Sequence, residues 1–161
     1  MQEKDVKKII NSNSFISNSI SDTEEFAKKI AKLANENDVF CLEGDLGTGK
    51  TVIAKAIGKF FNVDEELTSP TFTILKTYNT KDKKIKKIHH FDLYRIKNIN
   101  ELANIGFEDY LYDDNSIVII EWPEVAGEFL PKNIKRIIIK KIIENGEYKE
   151  NSREIIYEEN K

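Results

Sequence analysis

Residues 44–51 read Gly-Asp-Leu-Gly-Thr-Gly-Lys-Thr, and this run constrains the chain more than any other. It meets every fixed position of the pattern Gly-x4-Gly-Lys-Ser/Thr. The apolar run Val39-Phe40-Cys41-Leu42 before it reads as a buried strand, and Thr51 to Phe61 after it reads as a helix. Strand, glycine loop and helix together form the context in which main-chain amides converge on phosphate oxygens. The glycines let the backbone turn through positive φ and approach a ligand closely. The amides of Asp45, Leu46, Gly47, Thr48 and Gly49 would then face the ligand, helped by the positive end of the following helix. Lys50 is placed to reach β- and γ-phosphates, and the Thr51 hydroxyl to ligate Mg²⁺.

Such a loop holds a nucleotide but does not by itself use one. Mg²⁺ needs further oxygen ligands, often an acid at the end of a neighbouring strand. Ile117-Val118-Ile119-Ile120-Glu121 has that form, four apolar residues and then a carboxylate. A doubly wound sheet would bring Glu121 to the same carboxyl edge as the glycine loop. Asp92, in His90-Phe91-Asp92-Leu93-Tyr94-Arg95, falls among apolar residues, where an unpartnered carboxylate is costly. Two readings of it are open: contact with a metal-bound or attacking water, or a salt bridge to Arg95 or a lysine. Ser69-Pro70-Thr71 is a proline-stiffened, hydroxyl-bearing link that could lie near a γ-phosphate or form a plain turn. His89 and His90 lack a third ligand at metal spacing and read as ordinary hairpin residues. The lysines of 81–87 read as a solvated hairpin tip, and Trp122 as a packing residue.

Size and composition exclude several classes. A chain of 161 residues fits one domain, 1–161, able to bury about 70% of its unfolded surface. A formal net charge of −3 gives no general basic footprint for nucleic acid. The single cysteine, Cys41, lies in the apolar strand and reads as a small buried hydrophobe. No leader-like apolar segment and no 18-residue apolar run can be read, so the expectation is a cytoplasmic protein with no membrane role. Residues 1–12 are polar and expected to be flexible.

The pattern along the chain alternates. Ser21 to Glu25 reads as a helix start, and Phe26, Ile30, Leu33 and Ala34 recur at helical spacing. Residues 73–78 and 85–94 read as two strands around the lysine-rich turn 81–84. Glu101 to Leu111 reads as a helix with Gly106 as its weak point, and 116–120 as a strand buried on both faces. Residues 135–143 and 153–157 read as two more strands joined through Asn145-Gly146-Glu147. Alternating strands and helices predict an α/β sheet covered by helices on both faces.

Four segments, GDLGTGKT at 44–51, SPTF at 69–72, HFDLYR at 90–95 and EWPE at 121–124, occur together and in order. In this the chain resembles the bacterial TsaE family, formerly the YjeE proteins, over about residues 20 to 155. The resemblance implies a P-loop NTPase-like three-layer sandwich with a mostly parallel central sheet and an antiparallel hairpin. It implies ATP and Mg²⁺ as ligands and a hydrolysis that is slow in isolation. The partners implied are TsaB and TsaD, whose complex transfers a threonylcarbamoyl group to the adenosine next to the anticodon of tRNAs reading ANN codons. The ATPase would reset that complex, meeting tRNA only through it. Carried over to this sequence, Lys50 contacts phosphate, Thr51 and Glu121 bind Mg²⁺, and Asp92 is the acid near metal and water. Thr71 lies in a switch-like segment, and Asp22 and Thr23 lie near the base. Arg153 matches a late arginine near the nucleotide, with Ser152 where the family often has glycine. Thr48 replaces the common alanine of the loop.

A small-molecule P-loop kinase is the alternative. Such kinases gather several arginines over the transferred phosphoryl group, and Arg95, Arg136 and Arg153 are the only three here. A GTP-reading switch lacks its Asn-Lys-x-Asp run, and a binding module without turnover leaves Asp92 and Glu121 unused.

Overall fold

The computed structural model describes residues 13–70 and 72–159. Thr71 and the N-terminal stretch expected to be flexible lie outside the described residues. In chain order the elements are β1 (Ser14–Ser17), α1 (Ile20–Ala31), β2 (Val39–Glu43), α2 (Lys50–Phe60), β3 (Leu75–Asn79) and β4 (Lys87–Asp92). There follow α3 (Ile99–Asn104), α4 (Phe107–Leu111), β5 (Ser116–Glu121), a 3₁₀ turn (Pro123–Ala126), β6 (Ile134–Glu144) and β7 (Glu147–Glu159). One seven-stranded sheet runs β1-β7-β6-β2-β5-β4-β3. The expected α/β architecture is present, with helices on both faces.

The glycine-loop strand β2 lies between β5 and β6 and is parallel to both, and β4 is parallel to β5. The pairs β3–β4, β6–β7 and β1–β7 are antiparallel, so antiparallel pairing extends beyond a single hairpin. The parallel block is what builds the site. It brings the carboxyl ends of β2, β4 and β5 to one edge and sets Asp92 opposite Glu121 in register.

Burial explains the unbroken apolar runs. Phe40 and Leu42 of β2 face a core with Phe26 and Ile30 of α1 and Ile53 and Ile57 of α2. Val39 and Cys41 face the opposite core, with Leu102, Phe107 and Leu111. A strand covered on both faces has no reason to alternate. Burial also pushes the Cys41 thiol up to about 12, so it packs as an inert hydrophobe.

Local chemistry sets the helix ends. α1 begins two residues earlier than Ser21 to Glu25 suggests, because the Ser19 hydroxyl caps it by accepting from the Asp22 amide at 3.1 Å. The helix read over 101–111 breaks in two at Gly106, whose φ of 69° ends α3 and starts α4. α3 is held by a capping box between Asn98 and Glu101. The β6–β7 turn takes positive φ at both Asn145 (53°) and Gly146 (83°), as a two-residue hairpin loop requires. β1 was not anticipated. Its Phe15 ring stacks on Phe26 of α1 at 5.5 Å, while its backbone pairs with β7. Among the described residues, no helix is long and apolar enough to cross a membrane.

Candidate functional site

β2 ends at Glu43 and hands the chain to a loop that cannot carry a side chain at its start. A Cβ on Gly44, at φ 146°, would collide with the Ile139 carbonyl of the neighbouring strand β6. Gly49, at φ 112°, caps α2 without a side chain, which leaves the first amides of the helix pointing into the loop. Thr48 is buried and donates from Oγ1 to the Asp45 carbonyl at 2.9 Å, bracing the loop from inside.

Lys50, the first residue of α2, folds back over this loop. Its Nζ donates to the carbonyls of Gly44 (2.6 Å) and Asp45 (2.8 Å) and lies 4.1 Å from the centre of the Trp122 ring. Burial holds the ammonium below the usual lysine range, against the opposing pull of Glu121, Glu124, Asp92 and Asp45. Trp122 reaches this position because it takes a left-handed backbone, φ 60°, straight after β5, with its amide donating to Leu42 O at 3.3 Å. Its ring also meets that of Tyr94, at 4.9 Å.

Next to Lys50, the Thr51 hydroxyl lies 3.3 Å from each carboxylate oxygen of Glu121. Glu121 is 3% exposed, and its Oε1 is 2.9 Å from His90 Nε2. One strand over, Asp92 accepts from Ser69 Oγ at 2.6 Å and from the Tyr94 amide at 3.0 Å. Lys50, Thr51, Ser69, Asp92, Tyr94, Glu121 and Trp122 line one cleft of about 460 Å³, together with Arg95 and Val52, and His90 lies behind Glu121. The donor set suits Mg²⁺, which prefers oxygen ligands and keeps several waters while sharing phosphate oxygens. Among the described residues no three His, Cys, Asp or Glu side chains form an all-protein metal cage.

Across the glycine loop is a second hollow of about 210 Å³, bounded by Ser19, Thr23, Val52, Asn151 and Arg153. Gly47, Gly49 and Val52 line both spaces. A ligand with a phosphate tail and a planar body could span them.

A sequence model of the family described as "Threonylcarbamoyl adenosine biosynthesis protein TsaE" matches residues 17–155, which include every group above. The chain belongs to the TsaE family. It is 35% identical over 131 residues to the tRNA threonylcarbamoyladenosine biosynthesis protein TsaE of Rickettsia felis, covering 81% of this chain and 74% of that one. It is 34% identical over 120 residues to the protein of the same description from Bacillus subtilis, 73% of this chain and 72% of the relative. The crystal structure of Bacillus subtilis YdiB superposes with a TM-score of 0.68 at 26% identity, covering 92% of this chain and 85% of that one.

Within this TsaE fold the sequence-expected residues fall into two groups. Lys50, Thr51, Asp92 and Glu121 line one cleft with Leu46, Gly47 and Gly49. Thr23, Thr48 and Arg153 line the second hollow. Asp22 lines neither: its carboxylate accepts from the Asn18 amide at 2.9 Å in front of α1. Asp45 faces the Lys50 ammonium with its main-chain carbonyl. Arg153 spends its guanidinium on backbone, donating to Thr48 O (3.1 Å), Gly47 O (3.3 Å) and carbonyls of its own strand. It therefore braces the loop from β7. Thr71 lies outside the described residues.

The salt-bridge reading of Asp92 has no support in the geometry. Ser69 and the Tyr94 amide hold its carboxylate, while the Arg95 guanidinium packs 4.6 Å from the Phe72 ring centre. His90, read as an ordinary hairpin residue, proves to be wholly buried against Glu121. Strand period gives the face it lies on, though not the neighbouring strand. Ile88, His90 and Asp92 share one face of β4, as Ile117, Ile119 and Glu121 share one face of β5.

Proposed function

We propose that this chain binds ATP with Mg²⁺ in the cleft and hydrolyses the γ-phosphate, in support of a TsaB–TsaD complex in tRNA threonylcarbamoyladenosine biosynthesis. The observation that carries the reading is the Thr51–Glu121 pair, 3.3 Å apart beside the glycine loop, with Asp92 in the same cleft. The loop amides and Lys50 bind the phosphates, which would replace the carbonyl partners Lys50 now has. Thr51 and Glu121 hold Mg²⁺, which when bound draws charge from the phosphate oxygens. Asp92, with both oxygens oriented by Ser69 and the Tyr94 amide, aligns the attacking water and takes its proton. The Trp122 and Tyr94 rings keep bulk water from the ammonium. The second hollow receives the base.

The process follows from the family and from its relatives' descriptions. Contact with tRNA runs through the partner complex, in the cytoplasm. The 81–87 lysines favour this, because neighbouring groups already occupy several of them: Lys81 pairs with Asp64 (2.6 Å), Lys87 with Asp113 (3.0 Å), and Lys86 bonds Asp82 O (2.8 Å). The test is phosphate release from ATP and from GTP, measured for the chain alone and with the two partner subunits. Mg²⁺-dependent release from ATP that rises with partners is expected. Turnover indifferent to partners, with phosphate passed to a small acceptor, would replace this reading with the kinase one.

A further inference from the structure

His90 is fully buried in the middle of β4, yet among the described residues only one of its ring nitrogens has a hydrogen-bond partner. Nε2 lies 2.9 Å from Glu121 Oε1, and Nδ1 has no hydrogen-bond partner among the described residues. Against an ionised carboxylate, which only accepts, Nε2 is the donor. Burying an imidazole with one unmet nitrogen costs free energy that an aliphatic side chain would not. On its face Ile88 precedes it by two residues on β4 and Ile119 is its register partner on β5, while Asp92 follows it and Lys76 is its register partner on β3; among the described residues neither of these charged groups bonds the ring. Packing therefore gives no reason for a histidine. The hydrogen bond to Glu121 does.

We infer that His90 is a positioning residue for Glu121. Its Nε2–H fixes Oε1 and stops the carboxylate turning about its last torsion. The carboxylate is thereby held facing the Thr51 hydroxyl. This rests on the nucleotide and Mg²⁺ reading of the cleft and adds the group that keeps the carboxylate preorganised. Outer donors of this kind hold metal-binding carboxylates in place, and their removal costs about 10–100-fold in metal affinity or activity.

Binding of Mn²⁺, a paramagnetic substitute for Mg²⁺, tests this directly. Free Mn²⁺ is read by electron paramagnetic resonance as the ion is titrated into protein with ADP. ADP affinity without metal is read separately from Trp122, the only tryptophan of the chain and next to Glu121. His90→Leu should weaken Mn²⁺ binding about 10–100-fold and leave metal-free ADP affinity unchanged. His90→Gln, whose amide reaches the Nε2 position, should restore Mn²⁺ binding. If His90→Leu does not fold, His90→Asn takes its place, because its shorter amide stops at the level of Nδ1. Unchanged Mn²⁺ affinity in the Leu or Asn variant overturns the inference, and so does a loss in Gln as large as theirs. If the wild-type chain binds no ADP, the cleft reading fails and carries this inference down with it. Wild-type binding with an unaffected variant refutes the His90 role alone.

Discussion

Ser69 Oγ lies 2.6 Å from Asp92 Oδ2, tying the link that follows α2 to the carboxyl end of β4. The link is thereby coupled to the one acid in the cleft that does not touch Thr51. Ser69→Ala leaves Asp92 with the Tyr94 amide as its remaining hydrogen-bond donor among the contacts above. Hydrogen bonds to charged groups contribute about 1.5–3 kcal/mol, so turnover should fall about tenfold or more. Nucleotide affinity should hold, because the Ser69 hydroxyl acts on the Asp92 carboxylate. Steady-state phosphate release alongside ADP titration separates the two effects. Loss of affinity with normal turnover would give Ser69 a role in binding instead.

Glu121 faces Thr51 and His90 at once, so its removal should divide metal-dependent from metal-free behaviour. Glu121→Ala is expected to lower Mg²⁺-dependent turnover about 100-fold, the scale of losing a group that stabilises transition-state charge. Metal-free nucleotide binding should change far less. An equal loss of both would make Glu121 a structural acid for His90 and α2.

The part of this site legible in the sequence is the part fixed by covalent proximity. β2, the glycine loop and α2 are consecutive, and the loop pattern dictates their geometry. The turn at Asn145-Gly146 was readable for the same reason. Glu121 is legible as an acid ending an apolar run and Asp92 as an acid among apolar residues, because a carboxylate in either place needs a purpose. Which strands lie side by side is another matter. Side-chain period says which face a residue occupies but not which strand is its neighbour, so the His90–Glu121 contact between β4 and β5 stayed hidden. β1 was missed because four residues with one inward aromatic, Phe15, carry too little pattern. Resemblance sets Asp22 near the base, while its carboxylate accepts from the Asn18 amide, a local contact that neither spacing nor charge announces.

His89, the neighbour of His90, gives a pH prediction. Its Nε2 lies 2.8 Å from Asp113 and its Nδ1 2.8 Å from Thr77 Oγ1. Burial lowers its pKa below the ordinary 6.5, although Asp113 pulls it upward. Lys87 and His89 hold the Asp113 carboxyl below its usual range, so Asp113 stays charged throughout the window that matters. With the folded value below the unfolded one, the unfolded chain binds more protons once pH drops beneath 6.5. The contribution of His89 is therefore complete above that value and lost progressively below it. Urea midpoints should fall between about pH 7 and pH 5, and less steeply in His89→Gln. Parallel curves for the two proteins would assign the pH dependence to other groups.

Arg153 offers the sharpest separation of loop geometry from chemistry. Its Nε and Nη2 reach the Thr48 and Gly47 carbonyls, while Nη1 holds Glu150 O at 2.9 Å and Ser152 O at 2.8 Å. One planar fork thus joins β7 to the phosphate loop. A lysine ammonium is a single point of charge and cannot serve both sides in that geometry. Arg153→Lys should therefore behave nearly as Arg153→Ala, each weakening nucleotide affinity about tenfold, which corresponds to a loss of about 1.4 kcal/mol. Turnover at saturating nucleotide should stay near wild type, because neither Asp92 nor Glu121 is disturbed. Nucleotide titrations and saturating rates on the two variants decide the matter. Wild-type affinity in Arg153→Lys would mean that charge alone matters at this position, and the brace would not be what holds the loop.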